Sequence, residues 1–321
     1  MLENHCSKCY NPNNHASVSV FNSTGNLIIN RYIRMKPTIG IVGGCGPLAT
    51  LDIEHKILNA TKRLLSPLLD QDYFNMLVFS YTQFSDRNDA ITINDKTLSD
   101  QFLRCARTLE SVGVDFLLVA CQTAHVYLPD LKSDINLPIL DIIEETVSNI
   151  VKYLPRISKV GLLSTEATQK KKLYQSILAF HNIEVVNVSA EIQTKIMEAI
   201  YIIKTGASFV RGKRLLNNNQ YCVNNQIKYS QIKNHQYRCI LLEKFLPNPL
   251  TSIQEAIYYL ADNGCEHVIL GCTELPLILP HINLKKIGIN LIDPNNIVAE
   301  SAVILANKLE QKKTINSLNF I

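Results

Sequence analysis

Two cysteines close two similar apolar stretches. Gly113–Ala124 reads GVDFLLVACQTA and Gly264–Leu275 reads GCEHVILGCTEL. In each, a glycine precedes a run of large apolar residues, a cysteine ends the run, and a threonine follows closely. A thiol ionises near pH ~8.5, and helix N-termini or neighbouring cations bring that value down. Two such groups flanking one carbon could take a proton from one face and return it at the other. That arrangement suits a weakly acidic C–H bond in the absence of an electron sink. The usual sink, pyridoxal phosphate, needs a Schiff-base lysine and a phosphate cradle, and no lysine here stands out for that role. Taken singly, either Cys121 or Cys272 reads equally well as a small core residue. Pairing and position set these two apart.

The elements that must carry them follow from hydrophobic patterning. From Thr38 onward, apolar runs alternate with amphipathic ones. The pattern predicts strands at Thr38–Val42, Asn75–Tyr81, Asp115–Ala120, Pro138–Asp141, Lys159–Leu163, Glu184–Val188 and Glu266–Leu270. Helices are expected over residues 48–65, 96–112, 142–153, 165–180, 191–204, 252–263 and 295–309. Such alternation specifies parallel sheets with right-handed crossovers. Ligands then bind beyond the carboxyl ends of the strands. Gly43–Pro47, Ser80–Arg87, Cys121–His125, Ser164–Thr168 and Cys272–Glu274 all fall at such ends. Helix-start N–H groups there would favour a thiolate or a carboxylate, with Thr123 and Thr273 placed as N-cap-like groups. The expected fold is α/β: two parallel-sheet, doubly wound domains related by a pseudo-twofold axis, with the active site between them. Residues 37–140 plus 290–321 would form the first domain and 141–289 the second.

Composition narrows the partners. The 321-residue chain is 46% hydrophobic, enough for a large α/β core, and 19% charged with a formal net charge of +4. No strong field points to nucleic acid or to an anionic membrane. The apolar runs fall well short of the roughly 20 residues a bilayer span requires. Nine cysteines at irregular spacing argue against a disulfide framework and for a reduced, cytoplasmic setting. Residues 1–36 are Asn-, Ser- and His-rich and read as a disordered leader, with Met35 as a candidate start. Residues 211–246 interrupt the pattern: between Asn217 and Gln236, ten of twenty residues are Asn or Gln, and a solvated insertion is the expectation. Cys121 with His125, and Cys6, Cys9 with His15, fall short of a four-ligand zinc set, so no metal is expected.

Six segments give the chain a resemblance to the aspartate/glutamate racemase superfamily, and within it to the aspartate racemase branch. They are IGIVGGCGPLAT (39–50), SDRNDAI (85–91), LLVACQTAH (117–125), GLLSTEAT (161–168), AIYIIKTG (199–206) and VILGCTELPLIL (268–279), in family order. The resemblance implies a cofactor-independent amino-acid racemase acting on aspartate, or secondly glutamate, with Cys121 and Cys272 as the two catalytic bases. It implies that Arg87 clamps a side-chain carboxylate and that Lys204 approaches the substrate. Gln122, Thr123, Ala124 and Thr273 then occupy the turns that hold the α-carboxylate and ammonium, and Gly44, Cys45, Thr165, Glu274 and His125 are placed to assist. A homodimer is likewise implied. The chain departs from the family at Gln122, where Asn is usual, at Cys45, where Met or Ser is usual, and in the insertion. A maleate-type isomerase or decarboxylase of the same superfamily, and a non-catalytic amino-acid-binding protein, are the alternative readings.

Overall fold

A computed structural model describes residues 19–21, 27–29, 36–92, 96–204, 248–282 and 288–318. The insertion at 211–246, Met35, Cys6, Cys9 and His15 lie outside the described residues. The chain divides into two compact units, Met1–Lys36 with Lys308–Ile321, and Pro37–Asn307. In the smaller unit, β1 (Ser19–Phe21) pairs antiparallel with β2 (Leu27–Ile29), and the Lys36 ammonium lies 3.3 Å from the Glu310 carboxylate.

The larger unit holds two four-stranded sheets. The first is built from β3 (Thr38–Gly43), α1 (Pro47–Leu65), β4 (Asn75–Ser80), α2 (Arg87–Thr92), α3 (Lys96–Ser111), β5 (Phe116–Val119), α4 (Leu128–Asp134) and β6 (Ile139–Leu140). After α5 (Ile142–Tyr153) come β7 (Lys159–Ser164), α6 (Glu166–Lys170), α7 (Leu173–Phe180), β8 (Glu184–Asn187) and α8 (Ala190–Lys204). The second series ends with α9 (Pro249–Asp262), β9 (His267–Gly271), β10 (Asn290–Ile292) and α10 (Pro294–Leu318). All pairings within the two sheets are parallel, in the orders β4-β3-β5-β6 and β10-β9-β7-β8. Counted within each series, both orders are 2-1-3-4. That shared topology gives the α/β chain the two similar parallel-sheet halves expected of it. In each sheet the strand order reverses between the first and third strands, the place where open α/β sheets bind ligands. Cys121 follows β5 and Cys272 follows β9, the third strand of each sheet.

Local chemistry explains most boundaries. Pro47 opens α1 at its first position, and Lys62 and Arg63 occupy its last turn, where cations favour the dipole. Asp141 caps α5 by accepting from the Ile143 and Glu144 N–H groups at 2.9 and 3.2 Å. α9 begins earlier than periodicity indicated, because Asn248 accepts from the Leu250 N–H at 3.0 Å and Pro249 fixes the first turn. The expected single helix over 165–180 is two helices. Lys172, the last of three successive lysines, adopts the left-handed region, φ 51°, and beyond the break Tyr174 is fully buried. α2, α4 and β10 escaped prediction, being too short to show a period.

The cores lie on the sheet faces. Phe102, Cys105 and Leu109 of α3 pack with Leu117 and Val119 of β5. Ile196, Ile200 and Ile203 of α8 meet Ile253, Ile257 and Leu260 of α9 over β9. Each such side chain contributes about 1.5–3 kcal/mol on burial. Among the described residues, no helix is long and apolar enough to cross a membrane.

Candidate active site

The site begins at the turn after β3. Gly44 has φ +93°, a left-handed conformation that glycine adopts at little cost, and a Cβ there would also overlap the Tyr81 backbone. At Gly46 a Cβ would run into the Glu274 carboxylate, which approaches from the second half. The Gly44 N–H donates to Thr50 Oγ1 at 3.0 Å, and that hydroxyl donates to the Gly46 carbonyl at 3.1 Å. Between these two pinned glycines stands Cys45. Its carbonyl accepts from Arg87 Nη2 at 2.6 Å and from Lys204 Nζ at 3.4 Å.

Arg87 opens α2, whose first turn is capped by Asp86 Oδ1, accepting from the Asn88 and Asp89 N–H groups. Asn88 then links α2 to the other half. Its Oδ1 accepts from the Ala167 N–H at 3.3 Å, and its Nδ2 donates to the Tyr201 hydroxyl at 3.4 Å. Tyr201 in turn donates to Asp86 Oδ2 at 3.2 Å. Tyr201 and Lys204 are three apart on α8 and so share a face. The contact that steadies α2 thus also carries Lys204 to the site. Sequence reading missed Asp86, Asn88 and Tyr201; the Asp-x-x start of a short helix was the available signal.

At the second cysteine, the Cys272 thiol donates to Glu274 Oε2 at 3.0 Å, and the Thr273 hydroxyl donates to the same oxygen at 3.2 Å. Glu274 Oε1 lies 3.4 Å from Lys204 Nζ. Cys45, Arg87, Cys121, Lys204, Cys272 and Glu274 therefore form one buried cluster, with only the Lys204 side chain at the rim, 19% exposed.

The electrostatics separate the two cysteines. The Cys121 thiol is pulled down to about 6, first because the Cys45 thiol donates to it, then by Arg87 and Lys204, against the opposing effects of burial and Glu274. Cys45 itself is pushed well up by burial and by that donation. Cys272 is also pushed well up, first by burial and then by the negative charge of Glu274. Burial works against ionisation of Glu274, but Lys204, the Cys272 thiol and Arg87 outweigh it and hold the carboxyl below its ordinary value. These shifts favour ionisation at Cys121 over Cys272, with Arg87 and Lys204 as the nearby cations.

The remaining predicted residues fall around this cluster. The Gln122 side chain turns away to bridge the halves: Nε2 donates to the Leu270 carbonyl at 3.0 Å and Oε1 accepts from the Tyr174 hydroxyl at 2.6 Å. Thr123 Oγ1 contacts Thr165 Oγ1 at 2.9 Å and Thr168 Oγ1 at 3.2 Å. Thr165 caps α6 by accepting from the Thr168 N–H at 3.3 Å. Neither Thr123 nor Thr273 caps the short 3-10 helix after its cysteine; these begin behind Gln122 and Glu274 without a side-chain cap. The hydroxyls bond to other side chains instead, which corrects that expectation. Ala124 is buried. His125 bonds the Cys121 carbonyl through Nδ1 at 2.9 Å, and its Nε2 accepts from the Ile142 N–H at 3.3 Å. Both ring nitrogens thus engage backbone groups of the turn and of α5. At the other turn, Asn295 Nδ2 donates to the Thr273 carbonyl at 2.9 Å, a contact the sequence did not signal.

Known proteins similar to this chain include amino-acid racemases. The chain is 25% identical over 268 residues to a broad specificity amino-acid racemase of Bacillus subtilis (strain 168), covering 83% of this chain and 96% of that protein. Among solved structures, the Picrophilus torridus aspartate racemase superposes with a TM-score of 0.63 at 24% identity, covering 84% of this chain and 94% of that one. Glutamate racemase from Francisella tularensis in complex with D-glutamate gives a TM-score of 0.55 at 18% identity, with coverage of 88% and 83%. At these identities the structural likeness establishes the α/β fold. The family model described as Asp/Glu/Hydantoin racemase matches residues 42–223, more than half of the chain, and the protein therefore belongs to the Asp/Glu/Hydantoin racemase family.

Proposed function

We propose that this protein is a racemase that inverts the α-carbon of an acidic amino acid, aspartate first and glutamate second, with Cys121 and Cys272 as the two bases. The observation that carries this reading is two buried cysteines just beyond the third strand of each sheet, with a chain of contacts from Arg87 through the Cys45 carbonyl, Lys204 and Glu274 to the Cys272 thiol. In one direction the Cys121 thiolate takes the α-proton and becomes a thiol. The Cys272 thiol delivers its proton to the opposite face of the same carbon and becomes a thiolate, so one proton is taken and one returned. Arg87 and Lys204 lie where negative charge develops on the substrate carboxylates, and fixed donors lower the barrier most when they need no reorganisation. Arg87 uses two N–H groups on the Ser85 and Cys45 carbonyls. Its remaining donors suit a side-chain carboxylate, which a planar guanidinium pairs bidentately. The turns at Gln122–Ala124 and Thr273 supply backbone and hydroxyl groups for the α-carboxylate and ammonium. The free thiols at Cys45, Cys105, Cys121, Cys265 and Cys272 suit a reducing cytoplasm, and a homodimer is proposed from the family.

The test is chiral chromatography of L-Asp, L-Glu, L-Ala and L-Lys after incubation in D2O. L-Asp is expected to gain both D-enantiomer and α-deuterium, and Cys121→Ala and Cys272→Ala should each abolish inversion. Near-wild-type inversion by either variant overturns the two-base mechanism. Fumarate formation from maleate without α-exchange of aspartate would favour the isomerase alternative. Aspartate binding without either reaction would favour a binding protein.

A further inference from the structure

The 3-10 turn that follows the second cysteine lacks one rung. The Leu275 N–H donates to the Cys272 carbonyl at 3.0 Å and the Leu277 N–H to the Glu274 carbonyl at 3.1 Å, each three residues back. Between these two rungs the Thr273 carbonyl would take the N–H of residue 276, but that residue is Pro276, which has none. Thr273 is 1% exposed, and a buried carbonyl needs a donor. Asn295 supplies it from the first turn of α10, its Nδ2 donating to the Thr273 oxygen at 2.9 Å.

The elements around Asn295 fix its aim. Nδ2 carries two hydrogens, and it also donates to Asp52 Oδ2 on α1 at 2.8 Å. Lys56 Nζ bridges that same oxygen, at 2.6 Å, and Asp293 Oδ2, at 2.7 Å. Asp293 turns its other oxygen to the start of α10, where Oδ1 accepts from the Asn295 and Asn296 N–H groups at 3.0 and 3.2 Å. One ion cluster thus holds both the backbone and the amide of Asn295, which is fully buried.

The peptide whose oxygen Asn295 holds leads directly into Glu274. Oε2 of that residue accepts from the Cys272 thiol at 3.0 Å and from the Thr273 hydroxyl at 3.2 Å, and Oε1 lies 3.4 Å from Lys204 Nζ. A rotation of the peptide would carry the carboxylate away from thiol and ammonium together.

We propose that Asn295 is a positioning residue for the racemase reaction: it replaces the N–H that Pro276 lacks, and by holding the Thr273–Glu274 peptide it keeps the Glu274 carboxylate between the Cys272 thiol and Lys204. The proposal rests on the racemase reading for its purpose, whereas its labelling test does not.

The full-length protein, Asn295→Ala, Asn295→Leu and the double variant Asn295→Ala with Pro276→Ala are labelled with iodoacetamide at pH 8. Peptide mass mapping follows each cysteine separately. The charge of Glu274 opposes ionisation of Cys272, so Cys272 should label several-fold faster in both single variants. Cys265, buried just before β9, and Cys105, buried on α3, should label as in the wild type; they report general loosening. In an aspartate inversion assay kcat of the single variants should fall by up to about 10²-fold, the cost of a misplacement of about 1 Å. In the double variant the N–H of residue 276 can complete the rung, and both readouts should return toward the wild type. Asn295→Leu keeps a side chain of similar size, so the comparison survives if the alanine variant fails to fold. Unchanged Cys272 labelling overturns the proposal, as does a rise shared by Cys105 and Cys265, or a double variant no closer to the wild type than Asn295→Ala. Exchange of the aspartate α-proton in D2O, measured on the same wild-type sample, reports separately on the racemase reading.

Discussion

Cys121 and Cys272 have the same side chain at equivalent strand ends and differ only in their neighbours. A donor and two cations stand near one, and a carboxylate stands beside the other. This asymmetry has a pH consequence whose sign is fixed. In the proposed mechanism Cys121 can act as a base only when ionised, and its value lies below that of an ordinary thiol. For the enantiomer it deprotonates, kcat/KM should therefore hold through neutrality and drop about tenfold per unit as pH falls below about 6. Initial rates of aspartate inversion in each direction, from pH 5 to 8, measure this; a limb near the ordinary thiol value would contradict it. Glu274 gives a second case. Its charge raises Cys272, so Glu274→Gln should make Cys272 easier to ionise and increase its labelling by iodoacetamide at pH 8. The same substitution leaves Lys204 without its paired carboxylate, and inversion should fall.

The elements explain how such a cluster is held without disulfides. α8 carries Lys204 at its last turn, so the site depends on how firmly α8 lies against α9 and β9. Ile257 is fully buried in that seam. Ile257→Ala should cost about 2–5 kcal/mol through lost burial and the cavity it leaves, read as a lower urea midpoint at unchanged slope. Helix existence was largely legible in the sequence because amphipathic periods ran for three turns or more. The break at Lys172 and the six-residue α2 were not, since a left-handed residue and a single capped turn leave no periodic trace. Both omissions matter to the site. α2 holds Arg87, and the break leads into the helix that buries Tyr174.

At the scale of the whole unit, the two halves are joined by polar contacts between buried groups. Gln122 spans from the turn after β5 to the Leu270 carbonyl and the Tyr174 hydroxyl. Tyr174→Phe leaves Gln122 Oε1 buried without that donor, and should cost about 1–3 kcal/mol. Differential scanning calorimetry of the wild type and variant measures it; a variant as stable as the wild type would show that the contact does not join the halves. The Gln in place of the family's Asn thus acquires a physical role, because the longer side chain reaches across to the second sheet. Asn295 does comparable work at the other turn, bonding the Thr273 carbonyl and Asp52 on α1.

The linear sequence determined the α/β class, the parallel sheets and the two cysteine turns, because apolar runs of strand length, helical periodicity and a repeated Gly–apolar–Cys pattern are local properties. It also placed Arg87, Lys204 and Glu274 at strand or helix ends, though without saying what each would touch. Only the tertiary structure decided that the Cys45 carbonyl gathers Arg87 and Lys204, that Gln122 faces the opposite sheet, that His125 bonds a carbonyl, and that Glu274 sits between Cys272 and Lys204. Those pairings join residues as far apart as 45 and 204 or 122 and 270. Whether a thiol is ionised depends on the charges and donors within a few ångströms of it, and chain folding alone sets those distances.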